Sequence, residues 1–596
     1  MALLRRYSLY ALIAVGLIYL LHSLNVPYQE DTQRPYVTRP QPDGSQRHDS
    51  VDWAKWPLKY PVATPIPLPK SEPAQLPHVQ FDFASQPEDA AAKTIREARR
   101  DEVRKQFLKC WRNYRARAWM HDEIKPISGE VADHFGGWAA TLIDALDTLW
   151  IMGFSDEFNS AIDDIASIDF GYTPLEQINV FETNIRHLGG LLAAFDLSRD
   201  KRLLAKAVEV GNMLYHAFDT PNHMPITRWR TREAAQGKPQ VADEQVLLAE
   251  IGSLSMEFTR LSQLTGNVKY YDAVTRITRL MEDQQDKTKL PGMWPLIVNA
   301  KVADFTGDNT FTLNAMADSM YEYLPKMYAL LGGQDASYRK MYEKAMDVAA
   351  KHALFRPSTP EDSDLLASGV VRVEGSSVML EPVLQHLSCY TGGMYALGSR
   401  LFAKEEHYKI ARKLTDTCVW AYKSTKSGIM PEVSHLMQCP NTTECHWNEK
   451  EWHDAVAARA DHGTEKDPLK NIANLRLPTG FTAIDDRRYI LRPEAIESVF
   501  VMYRVTGEQA WQAAAWDMWT AIQRNTDTDL ANSALSDVSV ETPPREDSME
   551  SFWMAETLKY FFLVFSEPNV ISLDDFVLNT EAHPFRIPKP SNRSAR

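Results

Sequence analysis

The segment Leu491 to Ser498, LRPEAIES, puts a carboxylate where chemistry can use it. Pro493 suits the first position of a helix, because its fixed φ is already helical and its missing N–H is not needed there. Glu494 then falls in the first turn, where the helix dipole and the neighbouring Arg492 favour an ionised carboxylate, the state a general base requires. Glu497 follows about one turn later on the same face, so two carboxylates can meet a polyhydroxylated ligand or order a water. An ordinary helix start gives the same pattern, since Pro and Glu are common there for stability alone.

Further acidic motifs are spread along the chain: FETNIR from Phe181, ADSMYEYL from Ala317, MESFWMAETLKY from Met549 and NTEAH from Asn579. HDEIKP at His121 and TLIDALDTLWIMG at Thr141 accompany them. In this order and spread, from about Lys105 to about Pro584, the set resembles the class I α-1,2-mannosidases of glycoside hydrolase family 47.

The resemblance implies an inverting hydrolysis of a glycosidic bond, in which one carboxyl protonates the leaving oxygen and another activates water. Carried over residue by residue, it makes Glu182 the proposed acid, Glu494 the base and Asp318 a third essential acid. The choice of donor between Glu182 and Asp318 stays open, because Arg186, four residues after Glu182, would favour its ionised form on a shared helix. Read alone, Glu182 is also a structural partner for Arg186, and Asp318 is also a helix cap. The resemblance further implies Ca²⁺ held by Thr580, with Glu497, Glu556 and Glu581 acting through water; oxygen ligands suit such a hard cation. Phe552 matches the position beneath the terminal mannose, and Arg186, Glu250, Arg492, Glu497 and Glu556 match sugar-binding positions. Trp150, Tyr321 and Tyr560 read as core aromatics. No EF-hand loop and no HExxH motif occurs.

One position departs from the pattern. Members that remove chiefly a single mannose carry an arginine two residues before the ADSMYEYL aspartate, where this chain has Met316. Replacing a forked donor by a flexible apolar side chain should relax branch choice, as in Golgi-type and fungal enzymes. The expected activity is exo-trimming of terminal α-1,2-mannose from high-mannose N-glycans on glycoproteins. A degradation-enhancing mannosidase-like protein acting on misfolded glycoproteins, or a glycan-binding lectin without catalysis, are the alternatives. Three retained acids favour the enzyme, since a binding module needs neither proton donor nor base.

Residues so far apart in sequence need a scaffold that gathers them. Apolar helical segments meet at turns around Gly153, Ser198, Gly266, Gly332, Ala403, Gly507 and Ser566, which predicts seven helical hairpins. Their spacing is too irregular for a simple solenoid and fits closure into a toroid. The domain is expected to be mainly α, an (α/α)7 barrel of helical hairpins spanning residues 88–590, as the resemblance also implies, with residues 591–596 as a tail.

With 65 basic and 79 acidic residues the formal charge is −14, which argues against nucleic acid or an anionic membrane surface as the main partner. Arg5 and Arg6 precede an apolar run from Leu9 to Leu21. Residues 1–7 read as a cytosolic tail and 8–24 as a signal anchor, giving a single-pass type II protein of the endoplasmic reticulum or Golgi membrane with a luminal catalytic domain. Residues 25–87, rich in proline as in YPVATPIPLPK, read as an extended stem. A luminal location permits disulfides among the five cysteines. Cys389 and Cys418 match the family's structural pair, Cys439 and Cys445 can close a small loop, and Cys110 is left over. Asn441 and Asn592 begin glycosylation sequons.

Overall fold

The structure is a computed structural model and describes residues 50–459 and 467–591. The expected cytosolic tail, signal anchor and first part of the stem, and the sequon at Asn592, lie outside the described residues. Among the described residues no helix is long and apolar enough to cross a membrane.

Among the described residues six hairpins of paired helices follow one another, after a long first helix, α1 (Ala90–Arg117). They are α2 (Leu146–Ile151) with α3 (Ser155–Ile165), α4 (Gly189–Ser198) with α5 (Lys201–Tyr215), and α6 (Ser255–Thr265) with α7 (Lys269–Gln284). Then come α8 (Asp318–Leu330) with α9 (Ala336–His352), α10 (Tyr390–Leu401) with α11 (Glu405–Ser424), and α12 (Glu494–Thr506) with α13 (Gln509–Thr526). The last helix among the described residues, α14 (Leu558–Val564), has no following partner there. The hairpin expected around Ser566 is therefore absent, and α14 packs instead against α1. The physical reason is closure: joining the first helix to the last completes the seventh pair and buries the apolar faces of both.

The even-numbered helices neighbour one another around the inner ring, and the odd-numbered ones form the outer layer. Residue patterning enforces this division. Every residue of α14 is buried, whereas α7 buries Tyr270, Tyr271, Val274, Ile277 and Met281 along one stripe and leaves its other face polar. Tyr321 and Tyr560 are buried as expected, but Trp150 is 40% exposed at the end of α2 and does not belong to the core.

Short antiparallel strands lie at the N-terminal side of the inner helices. Ile178–Asn179 pairs with Arg228–Trp229, and Val246–Leu247 pairs with Ile297–Val298. Two three-stranded sheets contain Thr310–Thr312 and Phe481–Asp486, which lead towards α8 and α12. One rim of the ring thus carries both strand edges and helix starts.

From the other side a C-terminal hairpin, Phe576–Leu578 with Pro584–Arg586, sends its tip into the ring. Asn579 donates from Nδ2 to the Ile185 carbonyl at 3.2 Å and to Glu257 Oε1 at 2.7 Å. The His583 ring lies between Asp144 (3.0 Å) and Asp147 (2.9 Å). Gly189 makes room for this plug, since a Cβ there would sit 2.8 Å from Asn579 Nδ2.

Residues 50–87 are extended, as proline demands, but they do not stand clear of the domain as a stem should. Trp53 and Val79 are buried, and barrel carboxylates accept the segment's backbone N–H groups: Asp219 from Lys59 (2.8 Å) and Tyr60 (2.7 Å), Asp272 from Ile66 (2.7 Å), Asp574 from Val79 (2.6 Å). The expectation of a free stem is corrected for this part. A proline-rich chain lacks regular backbone pairing, and here the domain supplies the missing acceptors.

Candidate active site

Inner-helix starts and the hairpin tip enclose a pocket of about 280 Å³, and every residue expected to act in catalysis, sugar binding or metal binding lines it. Helix geometry explains the clustering of acids, because carboxylates in a first turn face the positive end of the helix dipole. Asp318 and Glu494 are the first residues of α8 and α12, and Glu182 and Glu250 lie in the short helices Val180–Glu182 and Leu248–Gly252.

Pro493 occupies the cap position of α12, one residue earlier than its sequence suggested, and Glu494 opens the helix. His386 Nδ1 lies 2.8 Å from Glu494 Oε2, while His386 Nε2 is 2.8 Å from the Tyr422 hydroxyl. Burial by itself raises the Glu494 pKa, but the His386 hydrogen bond and the Arg492 charge outweigh it, and the net shift is downward. Arg492 is fixed by Glu432, with Nε to Oε2 at 2.6 Å.

Asp318 shows the opposite behaviour. It lies on the pocket wall with protein on most sides, and desolvation, reinforced by the charges of Glu322 and Glu494, pushes its carboxyl up to about 7. Its one close backbone donor is Ser319 N–H at 2.9 Å, so it opens the helix without spanning the turn as a normal cap does.

Glu182 Oε2 accepts from Arg186 Nε at 2.8 Å, which realises the expected i,i+4 pair. Arg186 Nη1 also reaches Glu581 at 2.8 Å and Ser551 Oγ at 2.9 Å. Phe552 is 5% exposed and faces the guanidinium groups of both Arg186 (5.5 Å) and Arg492 (5.8 Å). The FETNIR and MESFWMAET motifs both fall on π-helical turns, Thr183–Leu188 and Trp553–Thr557, a feature common at functional sites. Glu250 pairs with Arg228 at 2.5 Å, and Met316 stands 53% exposed with φ of 73°.

Thr580 occupies the hairpin tip, and its hydroxyl donates to Glu322 Oε2 at 3.1 Å. Around it the carboxyl pKa values of Glu322, Glu497 and Glu556 are raised and that of Glu581 is pushed up to about 7; burial is the main cause in each, with neighbouring carboxylates adding to it. Lys326 opposes this at Glu322 and Glu497, and Arg186 at Glu581. Among the described residues no donor reaches the buried Glu556 Oε2 or Glu581 Oε2, and the two carboxyls lie close enough to share a proton. Such orphaned oxygens and surplus negative charge fit a hard cation with its waters. Among the described residues no three His, Cys, Asp or Glu side chains converge to ligate a metal directly.

Cys389 and Cys418 form a disulfide, as do Cys439 and Cys445, and Cys110 is free and buried. Asn441 lies exposed beside the second disulfide, its carboxamide oxygen accepting from Thr443 Oγ1 at 2.8 Å.

His386, Glu432, Glu322, Lys326 and Arg228 join the site without being expected from the sequence. Glu322 was within reach, because it stands one turn after Asp318 in a motif already noted. His386 carries no such signal: it lies 108 residues from Glu494 and meets it only across the ring.

The model of Glycosyl hydrolase family 47 matches residues 106–587. Endoplasmic reticulum mannosyl-oligosaccharide 1,2-alpha-mannosidase from Homo sapiens is 35% identical over 488 residues, 81% of this chain and 63% of that protein, so the match spans less than two thirds of this relative. Mannosyl-oligosaccharide 1,2-alpha-mannosidase MNS1 from Arabidopsis thaliana is 32% identical, with 84% and 80% of the two chains covered. The solved structure of an alpha-1,2-mannosidase from Trichoderma reesei superposes with a TM-score of 0.72 at 31% identity, covering 82% of this chain and 99% of that one.

Proposed function

Because the chain belongs to glycosyl hydrolase family 47, we propose that it is an exo-acting α-1,2-mannosidase that trims high-mannose N-glycans with inversion of configuration. The observation that carries this reading is a pair of carboxyls in one pocket whose pKa values are driven apart, Asp318 upward to about 7 and Glu494 downward. Environments that separate two carboxyls in this way divide acid from base.

In this reading Asp318 holds the proton and delivers it to the glycosidic oxygen as the bond from C1 to that oxygen breaks. Glu494 removes a proton from a water, whose oxygen bonds to C1 from the opposite face, and the released mannose is the β anomer. The Arg186 pairing suits Glu182 to accepting hydrogen bonds from sugar or water. Phe552 forms an apolar platform for a sugar ring, and Arg492 contributes donors beside it.

A Ca²⁺ ion held by Thr580, with Glu497, Glu556 and Glu581 reached through water, would supply positive charge and oxygen coordination for sugar hydroxyls. Glu556 and Glu581 carry the orphaned oxygens that support this assignment.

Two disulfides support a secretory-pathway location, because such bonds persist in oxidising compartments. The apolar run from Leu9 to Leu21 supports a type II anchor in the endoplasmic reticulum or Golgi membrane.

The test is incubation of Man9GlcNAc2 with the purified protein from residue 50, with and without a chelator, followed by mass analysis and NMR of the released sugar. Stepwise hexose loss as β-mannose, abolished by chelation and restored by Ca²⁺, is expected. Binding of the glycan without hexose loss would overturn the reading in favour of a lectin.

A further inference from the structure

The guanidinium that position 316 lacks is present elsewhere on the same pocket wall. Arg228 and Trp229 form a two-residue strand, and the alternation of a strand turns them to opposite sides. Trp229 is buried, donates from Nε1 to Gln240 Oε1 at 2.5 Å and packs 5.1 Å from the Trp53 ring. Arg228 is thereby held towards the pocket, with its backbone in register with Asn179, the residue that caps the helix carrying Glu182.

Arg228 Nη2 lies 2.5 Å from Glu250 Oε1, which fixes the guanidinium, yet the Arg228 side chain remains 45% exposed. A guanidinium has five N–H donors, so this single pairing leaves most of the fork available. Ala249, next to Glu250, donates its N–H to the Met316 carbonyl at 2.9 Å. Arg228, Glu250 and Met316 are therefore consecutive parts of one wall, in which the apolar member is Met316 and the polar fork is Arg228.

Resting on the mannosidase reading, we propose that Arg228 is a specificity-determining residue, which donates to paired hydroxyls of mannose units beyond the scissile linkage and so selects among glycan branches. Glu250 positions it, and Trp229 and Trp53 keep its strand from shifting. The pocket retains an arginine for branch recognition, presented from a different strand than a residue at 316 would use.

The test compares wild type with Arg228→Lys and Arg228→Met on Man9GlcNAc2 and on α-1,2-mannobiose. Lysine keeps the charge beside Glu250 without the fork, so it separates hydroxyl recognition from loss of the ion pair. For both variants kcat/KM on Man9GlcNAc2 should fall about tenfold relative to mannobiose, through KM, and the order of product isomers should change. Equal changes on the two substrates, or none, would overturn the proposal. Calorimetric binding in a Glu494→Gln background provides a second reading: the variants should weaken Man9GlcNAc2 more than mannobiose, and equal weakening overturns the proposal even if hydrolysis cannot be followed. A wild type that binds both sugars but cleaves neither counts against the hydrolase reading alone.

Discussion

The ring of His386 is completely buried and joins two helical pairs, with Nδ1 2.8 Å from Glu494 and Nε2 2.8 Å from Tyr422. Glu494 is otherwise a carboxylate enclosed by protein, a costly state without partners. The hydrogen bond from His386 and the charge of Arg492 turn an upward shift of its pKa into a downward one.

Replacing His386 by alanine should therefore raise the Glu494 pKa and move the acidic limb of the kcat/KM profile to higher pH. At pH 5 the loss is expected to be about tenfold to a hundredfold, shrinking as pH rises. A uniform loss with an unmoved acidic limb would show that His386 serves packing alone.

With Asp318 as donor, activity needs its protonated form, so kcat/KM should decline as pH rises through about 7. Asp318→Asn should reduce turnover by about a hundredfold or more and remove that basic limb. If Glu182→Gln removes the limb and Asp318→Asn leaves it, the donor is Glu182.

Glu581, Glu556 and Glu497 hold protons more tightly in the fold than an ordinary glutamate of pKa 4.5. For groups raised in this way the native state binds more protons than the unfolded state, so stability falls as pH rises from about 4.5 through the folded values. Chelated protein should lose several degrees of melting temperature between pH 5 and pH 7.5, and Ca²⁺ should largely abolish that slope. A chelated protein whose melting temperature rises over this window would contradict the carboxyl arrangement.

The extended segment 50–87 should behave as part of the domain. Removing it loses the burial of Trp53 and of Val79, the latter worth about 1.5–3 kcal/mol, uncovers the barrel surface beneath them, and strips Asp219, Asp272 and Asp574 of their backbone donors. A chain beginning at residue 88 should melt well below one beginning at residue 50, at equal scan rate. Equal melting temperatures would show that the segment adds nothing.

The Cys389–Cys418 disulfide spans 29 residues and links the start of α10 to α11. Loop-closure entropy predicts a contribution of about 3–4 kcal/mol, against about 2 kcal/mol for Cys439–Cys445 with its span of 6. Paired Cys→Ser variants should lower chemical stability in that order when unfolding is followed by denaturant titration.

Six of the expected hairpins and the acidic motifs that line the pocket are legible in the sequence. Turn residues such as Gly153, Gly266 and Gly507 take the positive φ that ends a helix, and the acids sit in compact motifs at helix starts, signals that are local in the chain. The assembled fold alone settled that α1 and α14 close the ring, because that pairing joins distant helices through burial and leaves no local mark. It likewise decided that residues 50–87 lie against the barrel, since their acceptors Asp219, Asp272 and Asp574 are distant and unremarkable in sequence. Above all, the charge states of Glu494 and Asp318 belong to the assembled ring: both are helix-starting carboxylates in the sequence, and their pKa values part only when one meets His386 and Arg492 while the other is desolvated beside Glu322.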